Sequence, residues 1–272
     1  MKWTWPTVWA DERGGWWKLL TTLALVAGGV IVGIFLFYAA LVVFGLLKNE
    51  SAYVRYIEVV MVVGIAFGFG LAGLLIGIRQ VHNKPVACVF TDGRPFNFRL
   101  AFQSGALWVL MIFLYSWFWT NNGAEALVRG AVEIPRARWL VHLIVMLCAA
   151  TLMETSAAVL FWGYVQTRVG AWVKRPWLAV CISVLPFTMT AMIFKGMSAA
   201  AVSDAIVDGI VGGTACIRAG TLAPLVSANI VSSSLMTLLY PNRNITWSYA
   251  VFDALAMAIW FVWLLWATRR RS

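Results

Sequence analysis

Long apolar runs follow one another along almost the whole chain, separated by short polar connections. Crossing a lipid bilayer as a helix takes about 20 consecutive apolar residues. Such runs fall near 19–47, 57–78, 100–120, 139–166, 177–194, 199–217, 221–240 and 247–267. Because backbone polar groups in lipid must be hydrogen-bonded within their own segment, we expect each run to be a helix. The sequence predicts an all-α, polytopic membrane helical bundle of about eight transmembrane helices.

The composition agrees with residence in a membrane. The chain is 62% hydrophobic and 12% charged, whereas soluble domains are roughly half apolar and a quarter charged. The net charge of +10 is typical of loops that face anionic lipid. The basic residues are not interleaved with aromatic residues on a solvated domain. We therefore expect the lipid bilayer as a partner, and no nucleic acid.

Lysine and arginine predict the orientation. Placing the N-terminus inside puts five basic segments in the cytoplasm: 1–18, the loops 79–99 and 168–175, Arg218, and the tail 269–271. Together they hold 14 of the 21 lysines and arginines. This bias follows the positive-inside rule, with both termini cytoplasmic and an even number of spans.

The chain divides into three parts. Residues 1–18 form a Trp-rich cytoplasmic segment, 19–78 form two N-terminal transmembrane helices, and 79–272 form a membrane core of about six helices with a basic C-terminal tail. We interpret the glycosylation sequon at Asn244 as chance, since nothing else indicates a glycosylating compartment. We expect the protein in a bacterial cytoplasmic (inner) membrane.

Glycines recur on the second span, at positions 64, 68, 73 and 77. Two G-x-x-x-G pairs allow another helix to approach closely. Packing inside the bundle is the favoured interpretation, ahead of a dimer interface. The four cysteines, at 88, 148, 181 and 216, form no C-x-x-C pair and predict no disulfide framework.

Three segments in the second part of the chain carry a family resemblance. They are KPVACVFTDGRPFNFRLAF, LMETSAAVLFWGYVQTRVGAWVKRPWLAVCISVLPFTMTAM and GIVGGTACIRAGTLAPLVSANIVSSSL. Their order and spacing resemble the CAAX prenyl protease and bacteriocin-processing (ABI) family of intramembrane metalloproteases. The resemblance covers roughly 190 residues and implies the helical core of that family.

The catalytic positions of that family are replaced in this chain. The family pattern E-E-x-x-F-R-G falls on Ala157, Ala158, Phe161, Trp162 and Gly163, so both acids and the arginine are missing. The F-x-x-x-H pattern keeps Phe187 but has Ala191 at the histidine. The H-x-x-x-N pattern falls on Ala228 and Ser232. The resemblance therefore implies a degenerate member without catalytic residues.

Histidines are scarce in this sequence. Metal-assisted hydrolysis needs about three His, Glu, Asp or Cys ligands and a base that activates water. Only His82, in a basic loop, and His142, near the outer end of the fourth span, are present. We therefore predict no metal site and no cofactor.

Four acids lie within predicted spans, where ionisable groups are rare and usually face the bundle interior. Glu154 lies one helical turn before Ala157 and Ala158 and should face the same cavity. It is interpreted as a hydrogen-bonded acid, or as a displaced general base. Asp204 and Asp208 are four residues apart, and two such acids share a proton or bind a cation in some proteins.

A structural polar seam is the favoured interpretation of those two acids. Asp204 would lie near the outer membrane edge, and Asp208 would hydrogen-bond to the polar seventh span, which includes Asn229 and several serines. Asp253, near the start of the last span, is predicted to be interfacial. Glu154, Asp204, Asp208 and Asn229 are thus the candidate polar cavity.

Three functions remain open from the sequence. The first is a catalytically inactive CAAX-protease-like protein that serves as a scaffold or accessory subunit of a membrane protein complex. Segment 1–18 and loop 79–99 are its candidate docking surfaces. The second is an active peptidase with a relocated site at Glu154, Asp204 and Asp208. The third is a small transporter or ion pathway, which requires an open route between Asp208 and Glu154.

Overall fold

A computed structural model describes residues 9, 15–43, 52–92, 96–118, 139–239 and 247–269 of the chain. Within these residues the chain is almost entirely helical, and the only extended pairing is an isolated bridge between Thr91 and Thr221. This confirms the prediction of an all-α membrane bundle. The sequon at 244–246 and most of segment 1–18 lie outside the described residues.

Nine α-helices are described. Two of them are continuous with each other, so they form eight helical rods. The helices are α1 (Trp16–Val43), α2 (Ala52–Ile76), α3 (Phe98–Phe118), α4 (Trp139–Ala157), α5 (Gln166–Val173), α6 (Pro176–Lys195), α7 (Ala199–Ala219), α8 (Ala223–Leu239) and α9 (Trp247–Arg269). A π-helical segment, Ala158–Val165, joins α4 to α5 without a break in helical backbone angles. The fourth rod therefore extends to Val173, past the predicted end at 166.

Seven described helical stretches are long and apolar enough to cross a membrane. The eighth, at 223–236, is apolar but shorter. Because α8 carries serines and an asparagine, we expect its polar side chains to contact other helices and not lipid. Lipid-facing surfaces elsewhere are strongly apolar, as at Phe102, which is 78% exposed.

The connection between α2 and α3 is packed rather than loose. It contains a π-helical turn, Gly77–Val81, and a 3₁₀ turn, Val86–Val89. His82, Cys88 and Val89 within it are buried. The interpretation of 79–99 as a simple basic loop and docking surface is therefore wrong for these residues, because their side chains pack against the bundle.

Several segments that were predicted to be cytoplasmic contact one another through their backbones at one end of the bundle. The backbone N–H of Leu222 donates to the carbonyl oxygen of Phe90 at 3.0 Å, and the backbone N–H of Asp92 donates to the carbonyl oxygen of Gly220 at 3.0 Å. A Cβ at Gly163 would lie 2.1 Å from the Val89 carbonyl oxygen. The π-helical segment is thus held against the α2–α3 connection where only a glycine fits.

Glycines also set the spacing of the N-terminal helices. A Cβ on Gly73 would lie 2.2 Å from the Leu25 carbonyl oxygen, and one on Gly64 would lie 2.8 Å from Ala149 Cα. Gly73 therefore packs against α1, and Gly64 against α4. The prediction that these glycines pack inside the bundle is confirmed, with two faces of α2 contacting two different helices.

We expect Gly73→Val to destabilise the protein by about 1–3 kcal/mol, because the added atoms overlap the backbone of α1. Thermal unfolding in a non-ionic detergent measures the effect. Gly28→Val is the matched control, since a Cβ there meets no atom within 4 Å. Equal melting temperatures for the two variants would contradict this packing.

Candidate functional site

A cavity of about 140 Å³ lies inside the bundle. Its polar lining comprises Glu154, Thr190, Asp208, Asn229, Ser232, Ser233, Tyr249 and Asp253, and its apolar lining includes Phe67, Trp108, Ala157, Phe161, Phe187, Ala191 and Met257. These residues come from every described rod of the bundle except α1. We call this space the acidic chamber.

Glu154 and Ala157 enter the acidic chamber from α4, one helical turn apart, as their spacing predicts. Ser233, on α8, donates its hydroxyl in a short hydrogen bond to Glu154 Oε1. Glu154 is thus a hydrogen-bonded acid in a polar pocket, and its role as a displaced general base stays a prediction. The bond joins the polar face of α8 to α4, and Asp208 lines the same chamber as Asn229 of α8.

Asp204, Asp208 and Asp253 form an acidic cluster. One carboxylate oxygen from each lies within 4.8 Å of the others. Asp204 is 2% exposed and Asp253 is 5% exposed. Carboxyl groups this close together share a proton or bind a cation in some proteins. Oxygen ligands of this kind suit hard cations such as Mg²⁺ or Ca²⁺ rather than zinc.

Asp253 lies near the start of α9, and α9 packs along α7 and turns this side chain toward Asp204 and Asp208. Asp204 and Asp253 are both buried among helices. The depth predicted for the two residues, near the membrane edge, stays a prediction, whereas their burial depends on the rotation of each helix about its axis.

Of the six positions that the resemblance assigns to catalytic residues, three line the acidic chamber and three do not. Ala157, Ala191 and Ser232 line it, while Ala158, Trp162 and Ala228 are buried in the core. Trp162 packs on Phe187, with ring centroids 5.1 Å apart, instead of lining the chamber. Trp162 therefore does not fill the acidic chamber.

The residues around that tryptophan are π-helical. The segment Ala158–Val165 includes most of the positions of the E-E-x-x-F-R-G resemblance. π-Helical turns occur often at functional sites, because the wider turn redirects side chains. Here the segment buries Phe161, Trp162 and Tyr164.

A second polar cluster lies at the end of the bundle where the basic segments meet. His82 Nε2 and the Tyr164 hydroxyl are 2.8 Å apart. Trp9 donates its indole N–H to Thr167 Oγ1 at 2.9 Å. Arg168 donates to the Gly15 carbonyl at 3.1 Å. We call these residues the end cluster; none of them lines the acidic chamber.

The end cluster corrects two expectations. His82 was assigned to a basic loop, yet it is buried. Arg168 was counted as a loop residue, yet it is fully buried on α5, with its guanidinium 5.5 Å from the Trp9 ring and 5.4 Å from the Trp172 ring. The side chain of His142 lies outside the described part of the structure.

No histidine or cysteine is among the described residues that line the acidic chamber. All four cysteines are free thiols, as their spacing predicts, and Cys88 and Cys216 are buried. The chamber's donor set is therefore carboxylate, amide and hydroxyl. Such a set can bind a cation or an amine, and it lacks the imidazole that a hydrolytic zinc centre ordinarily uses.

Asp253 and Trp108 are among the contributors to the chamber that sequence reasoning missed. Asp253 was visible as an acid in a span but was assigned to the surface. Trp108, on α3, gave no signal among the 16 tryptophans. Its side chain is 3% exposed, and its indole N–H has no acceptor among the described residues.

Comparison with known proteins gives no relative for this chain: no protein-family model, no curated protein and no solved structure matches it.

We expect Trp9→Ala to cost about 3–5 kcal/mol of stability, the range for truncating a buried tryptophan. Trp9 is fully buried against His82 and Tyr164. Thermal unfolding measures the loss, and Trp17→Ala, at a site 53% exposed, is the control. Similar melting temperatures for both variants would show that Trp9 does not anchor the N-terminal segment.

Proposed function

We propose that this chain is an integral membrane binding protein with a CAAX-protease-like core and no peptidase chemistry. It serves as a scaffold or accessory subunit of a membrane protein complex. The observation that carries the proposal is the acidic chamber, which is open, lies within the bundle and is lined by three of the degenerate motif positions. We place it in a bacterial cytoplasmic membrane with both termini in the cytoplasm.

The chemistry of the lining supports binding over hydrolysis. Ala157 and Ala191 offer neither a ligand nor a titratable group, and Ser232 has no histidine beside it among the lining residues. A serine nucleophile needs a base within reach, and a metallopeptidase needs ligands that hold an ion with an open position. What remains in the chamber is a set of groups suited to holding a polar or cationic ligand.

The size of the chamber limits what enters it. A cavity of about 150 Å³ accepts a molecule the size of benzene, and the acidic chamber measures about 140 Å³. A helix is about 10 Å across and cannot fit. The partner therefore inserts a group the size of a side chain, a head group or part of a chain, while the helices keep their packing.

A cation pathway is the second candidate, because Glu154 and Asp208 line one and the same chamber. A layer of packed side chains between Glu154 and Asp208 would argue against a pathway, and these two acids instead line the same cavity. The acidic cluster would be its binding site. The third candidate, a peptidase with a relocated acidic site, depends on Glu154 acting as a base while it accepts the hydrogen bond from Ser233.

We expect a photo-crosslinking amino acid at Asn229, inside the chamber, to capture a discrete partner when the protein is expressed in its own membrane. The same amino acid at lipid-facing Phe102 is the control. Purification in a mild detergent should recover the same companion in stoichiometric amount. A monomer that runs alone and gives no adduct specific to Asn229 would contradict the subunit role.

Glu154→Gln distinguishes binding from catalysis. The amide retains the size of the side chain and its ability to accept the Ser233 hydroxyl, but it cannot act as a base. We expect the variant to keep its companion and to leave processing of membrane proteins unchanged, as measured by the pattern of cleaved products in cells. A proteolytic phenotype lost with this single change would overturn the proposal and favour the relocated-site peptidase.

A further inference from the structure

Two polar side chains of the acidic chamber make no hydrogen bond to another described residue. They are Asn229 and Ser232, which lie three residues apart on one face of α8 and both line the cavity. Each is half-buried within the bundle. An amide or hydroxyl group that is kept from water and left unpaired costs about 1–3 kcal/mol. These two side chains therefore offer their donors and acceptors to the molecule or group that occupies the chamber.

The neighbouring polar groups of the lining already make hydrogen bonds and can accept more. Ser233 donates its hydroxyl to Glu154, and Thr190 donates its hydroxyl to the Pro186 carbonyl oxygen at 2.9 Å. Both hydroxyl oxygens keep lone pairs that can accept a hydrogen bond. A carboxylate has about four acceptor positions, so an acid of the lining can accept from a ligand in addition to the partners it has. Acceptors thus surround the two unpaired side chains.

We infer that the acidic chamber binds an uncharged carboxamide group on a short alkyl stem. The Asn229 amide pairs with this carboxamide through one donated and one accepted hydrogen bond. Ser232 donates to the second lone pair of the ligand's carbonyl oxygen, and the second N–H of the ligand donates to a carboxylate or hydroxyl oxygen of the lining. The inference rests on the proposed binding function and names the chemical class of the group held at that same site.

Hydrogen-bond matching selects the carboxamide over other common head groups. Asn229 presents a donor and an acceptor side by side, whichever way its amide is turned. An ammonium group only donates and leaves the N–H groups of Asn229 unpaired, whereas a carboxylate only accepts and leaves the Asn229 carbonyl oxygen unpaired. A hydroxyl group pairs well with one end of the amide at a time. A carboxamide satisfies both ends at once.

The volume of the chamber limits the alkyl stem. A cavity of about 150 Å³ holds benzene, which has about six non-hydrogen atoms, and the chamber measures about 140 Å³. Butyramide has the same number of non-hydrogen atoms, and Phe67, Phe161 and Phe187 provide apolar walls for its carbon chain. The side chain of a glutamine residue has nearly the same structure as butyramide. The same chemistry can therefore come from a free amide or from a partner protein.

The test is ligand-observed saturation-transfer NMR on the full chain in phosphatidylcholine nanodiscs at neutral pH, with empty nanodiscs as the blank. The probe is butyramide, and 1-butanol, butylamine and butyrate of the same chain length are the comparisons. We expect butyramide to bind at least about tenfold more tightly than each of the other three, which corresponds to about 1.4 kcal/mol. A site that recognises its ligand by hydrogen bonds disfavours an analogue that leaves its polar groups unpaired.

Asn229→Leu keeps the approximate size of the side chain and removes both ends of the amide. We expect this variant to lose the preference for butyramide over 1-butanol, whereas Ile230→Leu, on the same helix but outside the lining, should keep it. Ser232→Ala removes one donor and should weaken butyramide binding by a smaller factor. Comparison of the four ligands on the unmodified protein keeps the test valid if Asn229→Leu folds poorly.

Three results would overturn the inference. The first is equal or tighter binding of 1-butanol, butylamine or butyrate. The second is no binding of butyramide, which would indicate a chamber that holds water only. The third is a preference for butyramide that persists in Asn229→Leu.

The complex with a co-purified companion distinguishes the two sources of the amide. Release of the companion by butyramide assigns the carboxamide to a side chain of the partner, and binding of butyramide without release assigns it to a free amide; both results support the inference. A companion in stoichiometric amount with no preference for butyramide would remove the carboxamide and leave the proposed binding function standing. Failure of both would remove the two together.

Discussion

The burial of acidic side chains inside an apolar bundle is the constraint on which the rest of the structure depends. Asp204, Asp208 and Asp253 bring carboxylate oxygens within 4.8 Å of one another, and moving charge out of water is costly unless it is paired or hydrogen-bonded. Polar groups of α8 gather on the same cavity, and Ser233 hydrogen-bonds the fourth acid, Glu154. The polar positions of α7, α8 and α9 are thus explained by one interior site, not by surface exposure.

Close packing elsewhere keeps this site in place. The π-helical segment Ala158–Val165 is fixed at Gly163 against the α2–α3 connection, and the end cluster around Trp9 and Arg168 joins the N-terminal segment to α5. Both interactions act on the rod that also carries Glu154. The protein therefore has a densely packed end, where its basic segments meet, and an open, acidic interior. This division is what a binding function in the membrane requires: rigid walls around an unfilled space.

Much of the architecture was predictable from the sequence, because span length and apolarity are local properties. The boundaries of α3, α6 and α9 fall within a few residues of the apolar runs. The shared face of Glu154 and Ala157 followed from helical periodicity alone. Asp253 could not be placed, since nothing local indicates how α9 rotates against α7. Trp9 and His82 were missed because the contact that buries them joins residues about 70 positions apart in sequence. Such contacts depend on tertiary packing, which cannot be inferred from the local pattern of residues in a single sequence.

If the acids are held together for a ligand and not for stability, replacing one carboxylate with an amide should not lower the stability of the protein. The measurement is thermal unfolding of Asp208→Asn beside the wild type, in non-ionic detergent with a chelator and no added ligand, with Asp92→Asn as the control. The account predicts a higher melting temperature for Asp208→Asn, as is common when a functional site is neutralised. A melting temperature lowered by several degrees relative to both the wild type and the control would identify Asp208 as part of a structural polar seam and contradict the binding site.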